Sequence, residues 1–218
     1  MATKDLTIRG AGVFGLAIAW TALQRGAQVR VIDPAGPGGG ASGGVVGALQ
    51  PHTPDVWNDK KQFQLDSLVM AEAFWQGVED TSGIATGFHR AGRLQPLLEE
   101  RDVVLARARA ASAAEFWGPH ATWEVIEGDA AGDWRPPSPT GLYVRDTLSA
   151  LIHPRRAVES LSAAIAARGG TLSDAADEGS DTGGPTIWAT GWQGLKDLSR
   201  ALDRPVGNGV KGDRRAHV

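Results

Sequence analysis

One run near the N-terminus constrains this chain more than any other: Gly10-Ala11-Gly12-Val13-Phe14-Gly15, then an apolar stretch, then Val29-Arg30-Val31-Ile32-Asp33. Leu6-Thr7-Ile8 precedes it as a short apolar strand. The order reads strand, glycine turn, helix, strand, acid. A dinucleotide needs that order for physical reasons. Gly10 lets the chain turn sharply, Gly12 clears space for a pyrophosphate, and Gly15 lets the helix approach the strands. The N–H groups and dipole of the helix N-terminus then face the phosphates. Asp33 closes the second strand, where its carboxylate can accept both ribose hydroxyls. It lies 18 residues past Gly15, close to the offset of about 20 that such sites use.

The motif alone is weak evidence, because the chain has 29 glycines. Its context carries the reading: a strand before it, a helix after it and the acid in register. The alternative is a glycine-rich turn with Asp33 as an ordinary strand-end residue. Asp33 disfavours a 2′-phosphate and hence NADP, while NAD and FAD both fit.

The spacing predicts a first helix over Val13 to Gln24, with Leu16, Ala17, Trp20 and Leu23 on one face and Gly26 stopping it. Gln28 to Asp33 reads as a buried parallel strand. The glycine-rich segment from Pro34 to Gly47 reads as a cofactor loop whose backbone N–H groups approach phosphates, in preference to a linker. Lys61 to Val78 is a helix with Leu65, Leu68, Val69, Phe74, Trp75 and Val78 inside. Gly87 to Pro96 reads as a strand pair or a single edge strand, and Glu99 to Trp117 as a helix. Trp123 to Asp129 and Gly141 to Arg145 read as strands, separated by a rigid Pro-rich loop at Arg135 to Pro139. His153-Pro154 opens a helix with Ala157, Val158, Leu161, Ala164 and Ile165 buried, ended by Gly169-Gly170. Ser173 to Pro185 reads as a loop, and Thr186 to Trp192 as a buried strand ending in glycine.

The fold class read from this order is α/β: a Rossmann-like nucleotide-binding domain interrupted by part of an inserted α+β domain. The boundaries drawn are 1–82 for the first part of the nucleotide domain, 83–150 for the partial inserted domain and 151–200 for the return. Residues 201–218 are left as the start of a second half or an atypical tail.

Composition narrows the chemistry. A net charge of −3 with both signs dispersed gives no sign of a nucleic-acid partner. With no cysteine, disulfides, thiolate nucleophiles, cysteine-ligated metals and cysteine-tethered flavins are excluded. His89, His120 and His153 show no metal spacing, so no metal is expected. The N-terminus has no signal-peptide pattern, and the longest apolar run, Val13 to Trp20, is too short to span a membrane. A cytoplasmic location is the expectation, and oligomeric state is left open. Eight tryptophans beside one tyrosine are expected mainly in core and interfaces.

Three segments together resemble the FAD-dependent oxidoreductases related to D-amino-acid oxidase, glycine oxidase and sarcosine oxidase, whose FAD-binding domain is of the glutathione-reductase-like type. The first is Ile8 to Asp33. The second, Gly38 to Leu49, is similar to the family's Ser/Gly-rich loop that runs past the pyrophosphate toward the flavin. The third, Ile187 to Trp192, resembles the later strand that returns to the cofactor. Pro205-Val206 and Val210-Lys211-Gly212 look like the segment after it. The cofactor implied is FAD. The residues implied to hold it are Gly10, Gly12, Val13, Phe14, Gly15, Asp33 and Pro34; then Ala41, Ser42, Gly43, Gly47, Ala48, Leu49 and Gln50; then Ala189, Thr190, Gly191 and Trp192. Family members are longer, and the tail Asp213 to Val218 does not resemble their continuation. A truncated or frameshifted member is therefore expected; a cloned fragment or a naturally short chain is the alternative.

The resemblance implies a small amine or amino-acid substrate, oxidised at its C–N bond by hydride transfer to the flavin. Gln50 and His52 are the catalytic candidates, since they follow the flavin loop and an imidazole suits proton traffic; a loop histidine can equally be structural. Arg90 and Arg93 could grip a substrate carboxylate but are expected on the surface. Two other functions stay open. An NAD-dependent dehydrogenase would require further βα units after Asp33, and an inert fragment would hold no flavin productively.

Overall fold

The computed structural model describes residues 5–174 and 184–203. The expectations for 205–206, 210–212 and the tail from 204 onward lie outside the described residues, as does most of the loop read at 173–185. In chain order the strands are β1 (Asp5–Arg9), β2 (Gln28–Ile32), β3 (Gly47–Leu49), β4 (Arg93–Pro96), β5 (Trp123–Glu127), β6 (Leu142–Asp146), β7 (Ala150–Ile152), β8 (Thr171–Ser173) and β9 (Thr186–Trp188). The helices are α1 (Val13–Gln24), α2 (Asp59–Ser82), α3 (Glu100–Phe116), α4 (Pro154–Ala167) and α5 (Gly191–Ala201).

The chain divides into two compact units. One comprises Met1–Val45, Val78–Thr86 and His153–Val218; the other comprises Val46–Gly77 and Gly87–Ile152. The boundary drawn from sequence at residue 82 therefore differs from the structural division at Val45. The reason is pairing: β3 lies antiparallel to β7, with Gly47 opposite Ile152, which ties residues 47–49 to the second unit.

The first unit is built on a parallel sheet in the order β8-β2-β1-β9. Its β1–β2 register runs from Asp5 opposite Gln28 to Arg9 opposite Ile32. α1 turns Gly15, Leu16, Ala19 and Trp20 inward. It ends where Gly26 takes φ +81°, a conformation glycine adopts freely. α4 packs beside α1 and buries Ala157, Val158, Ser160, Leu161, Ala164 and Ile165. Leu161 and Ile165 are fully buried, each worth about 2 kcal/mol against exposure. Ser160, polar on this face, is satisfied by the Ile84 carbonyl at 2.9 Å and Ser82 Oγ at 2.7 Å.

The second unit holds the antiparallel sheet β4-β6-β5 and a core of Leu65, Leu68, Leu97, Val103, Ala106, Trp117, Trp123, Val144 and Leu148. Trp117 and Trp123 meet edge to face at 6.0 Å, and Trp123 Nε1 donates to the Ala106 carbonyl. α2 turns Leu65, Leu68, Ala71 and Trp75 inward. A capping box of Glu99 and Asp102 starts α3.

Two expectations are corrected. Thr186 to Trp192 is not one buried strand: β9 covers only Thr186–Trp188 at the sheet edge, Trp188 is 44% exposed, and Gly191-Trp192 open α5. Arg90 and Arg93 are not free surface groups. Arg90 donates to the carbonyls of Leu148 and Leu68. Arg93 pairs at 2.9 Å with Asp146, its register partner across β4 and β6, which is fully buried.

Candidate functional site

The site forms where β1 ends against β9. Gly10 adopts φ +110°, and a Cβ there would lie 2.3 Å from the Ala189 carbonyl oxygen. A side chain at Gly15 would lie 1.8 Å from the Gly10 carbonyl oxygen. The glycines thus do two of the jobs read from sequence, turning the chain and letting helix and strands close up. Gly12 is the extended N-cap of α1, and among the described residues, its chain neighbours aside, Ser42 Oγ is the one atom within 4 Å of a Cβ placed there, at 3.2 Å.

The first hydrogen bond in the ladder of α1 runs from Leu16 N–H to the Gly12 carbonyl. The N–H groups of Phe14 and Gly15 therefore stand outside that ladder and point out of the helix start. Val13 N–H donates to Ser42 Oγ at 3.0 Å across 29 residues of sequence. No acidic residue lies in the first turn of α1, so a bound phosphate would meet the positive end of the helix without a carboxylate of that turn.

Asp33 has a structural task that its sequence position did not suggest. Its Oδ2 accepts from Ala11 N–H at 2.7 Å and its Oδ1 from Ala35 N–H at 2.9 Å. It thereby fastens the glycine turn to the end of β2. Each carboxylate oxygen has a second lone pair, so acceptors remain for ribose hydroxyls. Gly38 N–H donates to the Ala11 carbonyl at 3.0 Å, which folds the loop after Asp33 onto the same turn.

The structure brings Gly10, Gly12, Val13, Gly15, Asp33, Ser42 and Ala189 into one connected network. Phe14 is 79% exposed at the start of α1. Pro34 follows Asp33 in an exposed turn, and Ala41 and Gly43 flank Ser42 in a single 3₁₀ turn. Thr190 stands at the N-cap position of α5 without a side-chain capping bond, and Trp192 in the first turn carries Lys196 Nζ 4.2 Å above its ring. Gly47, Ala48, Leu49 and Gln50 belong to the other unit, on β3 and just after it.

The catalytic candidates also sit in that other unit, and both are tied to α2. Gln50 accepts through its carbonyl from Gln64 Nε2 at 3.2 Å. Gln64 Oε1 accepts from His52 N–H at 2.6 Å and lies 2.5 Å from His52 Nδ1. His52 thus has a partner that the sequence did not suggest. No group of three histidine, aspartate or glutamate side chains placed to hold a metal occurs among the described residues. No helix among them is long and apolar enough to cross a membrane.

The network at the end of β1 has the pattern of an adenine dinucleotide site, and comparison with known proteins agrees. Residues 5–190 match the model of a protein family described as FAD dependent oxidoreductase, DAO. The chain belongs to this family. Among curated proteins, the tRNA 5-methylaminomethyl-2-thiouridine biosynthesis bifunctional protein MnmC of Marinobacter nauticus is 38% identical over 79 residues, covering 34% of this chain and 12% of that one. Among solved structures, glycine oxidase from Geobacillus kaustophilus superposes with a TM-score of 0.73 at 19% identity, covering 92% of this chain and 59% of that one. Iminodiacetate oxidase from Chelativorans sp. BNC1 gives 0.61 at 22% identity, covering 78% and 46%. L-amino acid deaminase from Proteus vulgaris gives 0.63 at 20% identity, covering 79% and 40%. The chain therefore spans less than two thirds of each relative. At these identities the structures establish the fold, α/β with a Rossmann-like FAD domain.

The family is FAD-dependent, and the residues present fit the ADP part of that cofactor. A Cβ-free approach at Gly12, outward N–H groups at Phe14 and Gly15, and spare acceptors on Asp33 are the donor and acceptor set a pyrophosphate and a ribose require.

Proposed function

We propose that this chain binds FAD and serves the oxidation of the C–N bond of a small amine or amino acid. The observation that carries the reading is the double fastening of the glycine turn, by Asp33 to Ala11 and by Ser42 to Val13, within a chain of the FAD-dependent family. The turn is held open and aimed before any ligand arrives, so binding orders little additional backbone. Bound FAD would supply the hydride acceptor. The chain's own part is to orient the pyrophosphate with the helix N-terminus and to hold the ribose with Asp33. Pro34, Ala41, Gly43, Gly47, Ala48, Leu49, Thr190, Gly191 and Trp192 complete the proposed cofactor set. Gln50 and His52 are the proposed groups for the substrate side, with His52 oriented by Gln64.

The named substrates of the structural relatives, glycine and iminodiacetate, are amines carrying carboxylates. A small amine of that kind is the proposed substrate class, and a cytoplasmic location is proposed with it. The test is optical. The protein, purified or reconstituted with FAD, is expected to show a flavin absorption band that bleaches under anaerobic conditions on addition of glycine, sarcosine or iminodiacetate. A colourless protein whose unfolding temperature FAD leaves unchanged would instead establish the inert reading.

A further inference from the structure

We infer that Arg155, on α4, is a positioning residue for the phosphate turn; the inference rests on the FAD reading above. Arg155 Nε donates to the Gly43 carbonyl at 2.6 Å, across 112 residues of sequence. Gly43 closes the 3₁₀ turn Ala41–Gly43, whose middle residue, Ser42, accepts the N–H of Val13 at the start of α1. The guanidinium thus holds the residue next to the one whose hydroxyl sets the first turn of the phosphate helix.

A second observation points the same way. Arg155 and Arg156 stand in the first turn of α4, which contains no acidic residue. A cation there opposes the helix dipole, so the residue works against its own helix. Local rules are broken in this way where a side chain has another task. The rest of the loop leans on the same helix turn: a Cβ at Gly38 would lie 3.3 Å from Val158 Cγ1, and Gly38 N–H is bound to Ala11. Gly43 N–H in turn donates to the Gly40 carbonyl at 3.1 Å. α4 therefore acts as a strut. Val158 supports the near end of the loop, and Arg155 fixes the far end with a charge-assisted bond.

Without Arg155, the Gly43 carbonyl turns to water and Ser42 Oγ is no longer fixed over Val13 N–H. The fold needs nothing from this exposed side chain, so Arg155→Ala is expected to keep the native circular dichroism. FAD affinity is expected to fall about tenfold, the scale of one charge-assisted hydrogen bond. Arg155→Lys, which restores a cationic donor, is expected to recover most of that loss. Adding Arg155→Ala to Ser42→Ala is expected to change affinity by less than about twofold, because both act through one contact. Amide hydrogen exchange in the protein without FAD provides a readout free of the cofactor: Val13 N–H is expected to exchange about tenfold faster in Arg155→Ala, with Ile8 and Leu16 unchanged. If the wild type binds no FAD, the FAD reading fails while the Val13 amide still decides the role of Arg155. Unchanged Val13 exchange, or an Arg155→Ala effect as large on the Ser42→Ala background as on the wild type, would overturn the inference.

Discussion

Gly10 shows how much one residue's geometry can fix. It must supply a positive φ and must also leave room for the Ala189 carbonyl oxygen, 2.3 Å from where a Cβ would sit. Gly26 faces only the first demand: its φ is +81° and, among the described residues, no atom beyond its chain neighbours lies within 4 Å of its Cβ position. Gly26→Ala is therefore expected to cost about 1 kcal/mol, the backbone strain alone. Gly10→Ala is expected to cost about 3 kcal/mol or more, because a backbone contact cannot swing away. Urea unfolding of both variants measures the difference; equal costs would show that the close approach to Ala189 carries no penalty. Asp55 gives a residue-scale prediction with a pH sign. Burial raises its pKa, but hydrogen bonds from Thr53 and Arg109 and the Arg109 charge more than reverse this, so it sits below its ordinary value of 3.8. Arg109 Nη2 donates to Oδ2 at 3.2 Å, while Nε lies 3.1 Å from Oδ1 but is misaligned for a hydrogen bond. A carboxylate with a lowered folded pKa stabilises above its unfolded value and loses that contribution as pH falls through the folded one. The stability gap between wild type and Asp55→Asn is expected to be constant from pH 5 to 7 and to shrink below about pH 4, as thermal unfolding across that range would show.

At the scale of elements, what was legible depended on whether a signal was local. β1, α1 and β2 follow from spacing within a few turns, and so does the buried face of α4. At the end of the sheet the sequence misleads, because the apolar run Ile187-Trp188-Ala189 passes directly into Thr190-Gly191-Trp192. Trp192, Leu195, Leu198 and Leu202 recur at helical spacing behind a Thr N-cap, and that signal could have revealed α5. Ser42 was expected at the phosphates from resemblance, but its bond to Val13 was not, because pairing across 29 residues leaves no periodicity. The same holds for Arg155 and for the pair joining β4 to β6. In that pair Asp146 is fully buried, with Ser149 N–H on Oδ1 at 2.8 Å, while the Arg93 side chain is 22% exposed and lies over Trp123. The exposure makes the pair asymmetric. Asp146→Asn leaves a guanidinium that can still reach water, and is expected to cost about 2 kcal/mol. Arg93→Ala removes the cation paired with a buried carboxylate, and is expected to cost about 3 kcal/mol or more. Guanidinium denaturation would show the order, and a larger cost for Asp146→Asn would refute it.

For the whole molecule, the question is how much of the proposed FAD affinity the first unit carries. The contacts that form the connected site come from residues 10–15, 33, 42 and 189, all in the first unit, and each suits the ADP portion. The division at Val45 was not legible because Gly47 to Gln50 continue the glycine loop in sequence. Only the antiparallel pairing of β3 with β7 assigns them to the second unit. The chain also spans 59% of the glycine oxidase it resembles. If the network at Gly10 to Asp33 supplies most of the affinity, ADP should compete well with FAD. Their dissociation constants are expected to lie within about tenfold, a difference of no more than about 1.4 kcal/mol. Titration calorimetry with each ligand, and displacement of FAD by ADP, measures the ratio. Asp33→Ala supplies the internal control, since it should weaken both ligands by the same factor. An FAD preference above about a hundredfold would require more than about 2.7 kcal/mol from the flavin ring. In that case the proposed groups at Gly47 to Gln50 would be the first to substitute, because a loss confined to FAD and absent for ADP would assign them to the flavin.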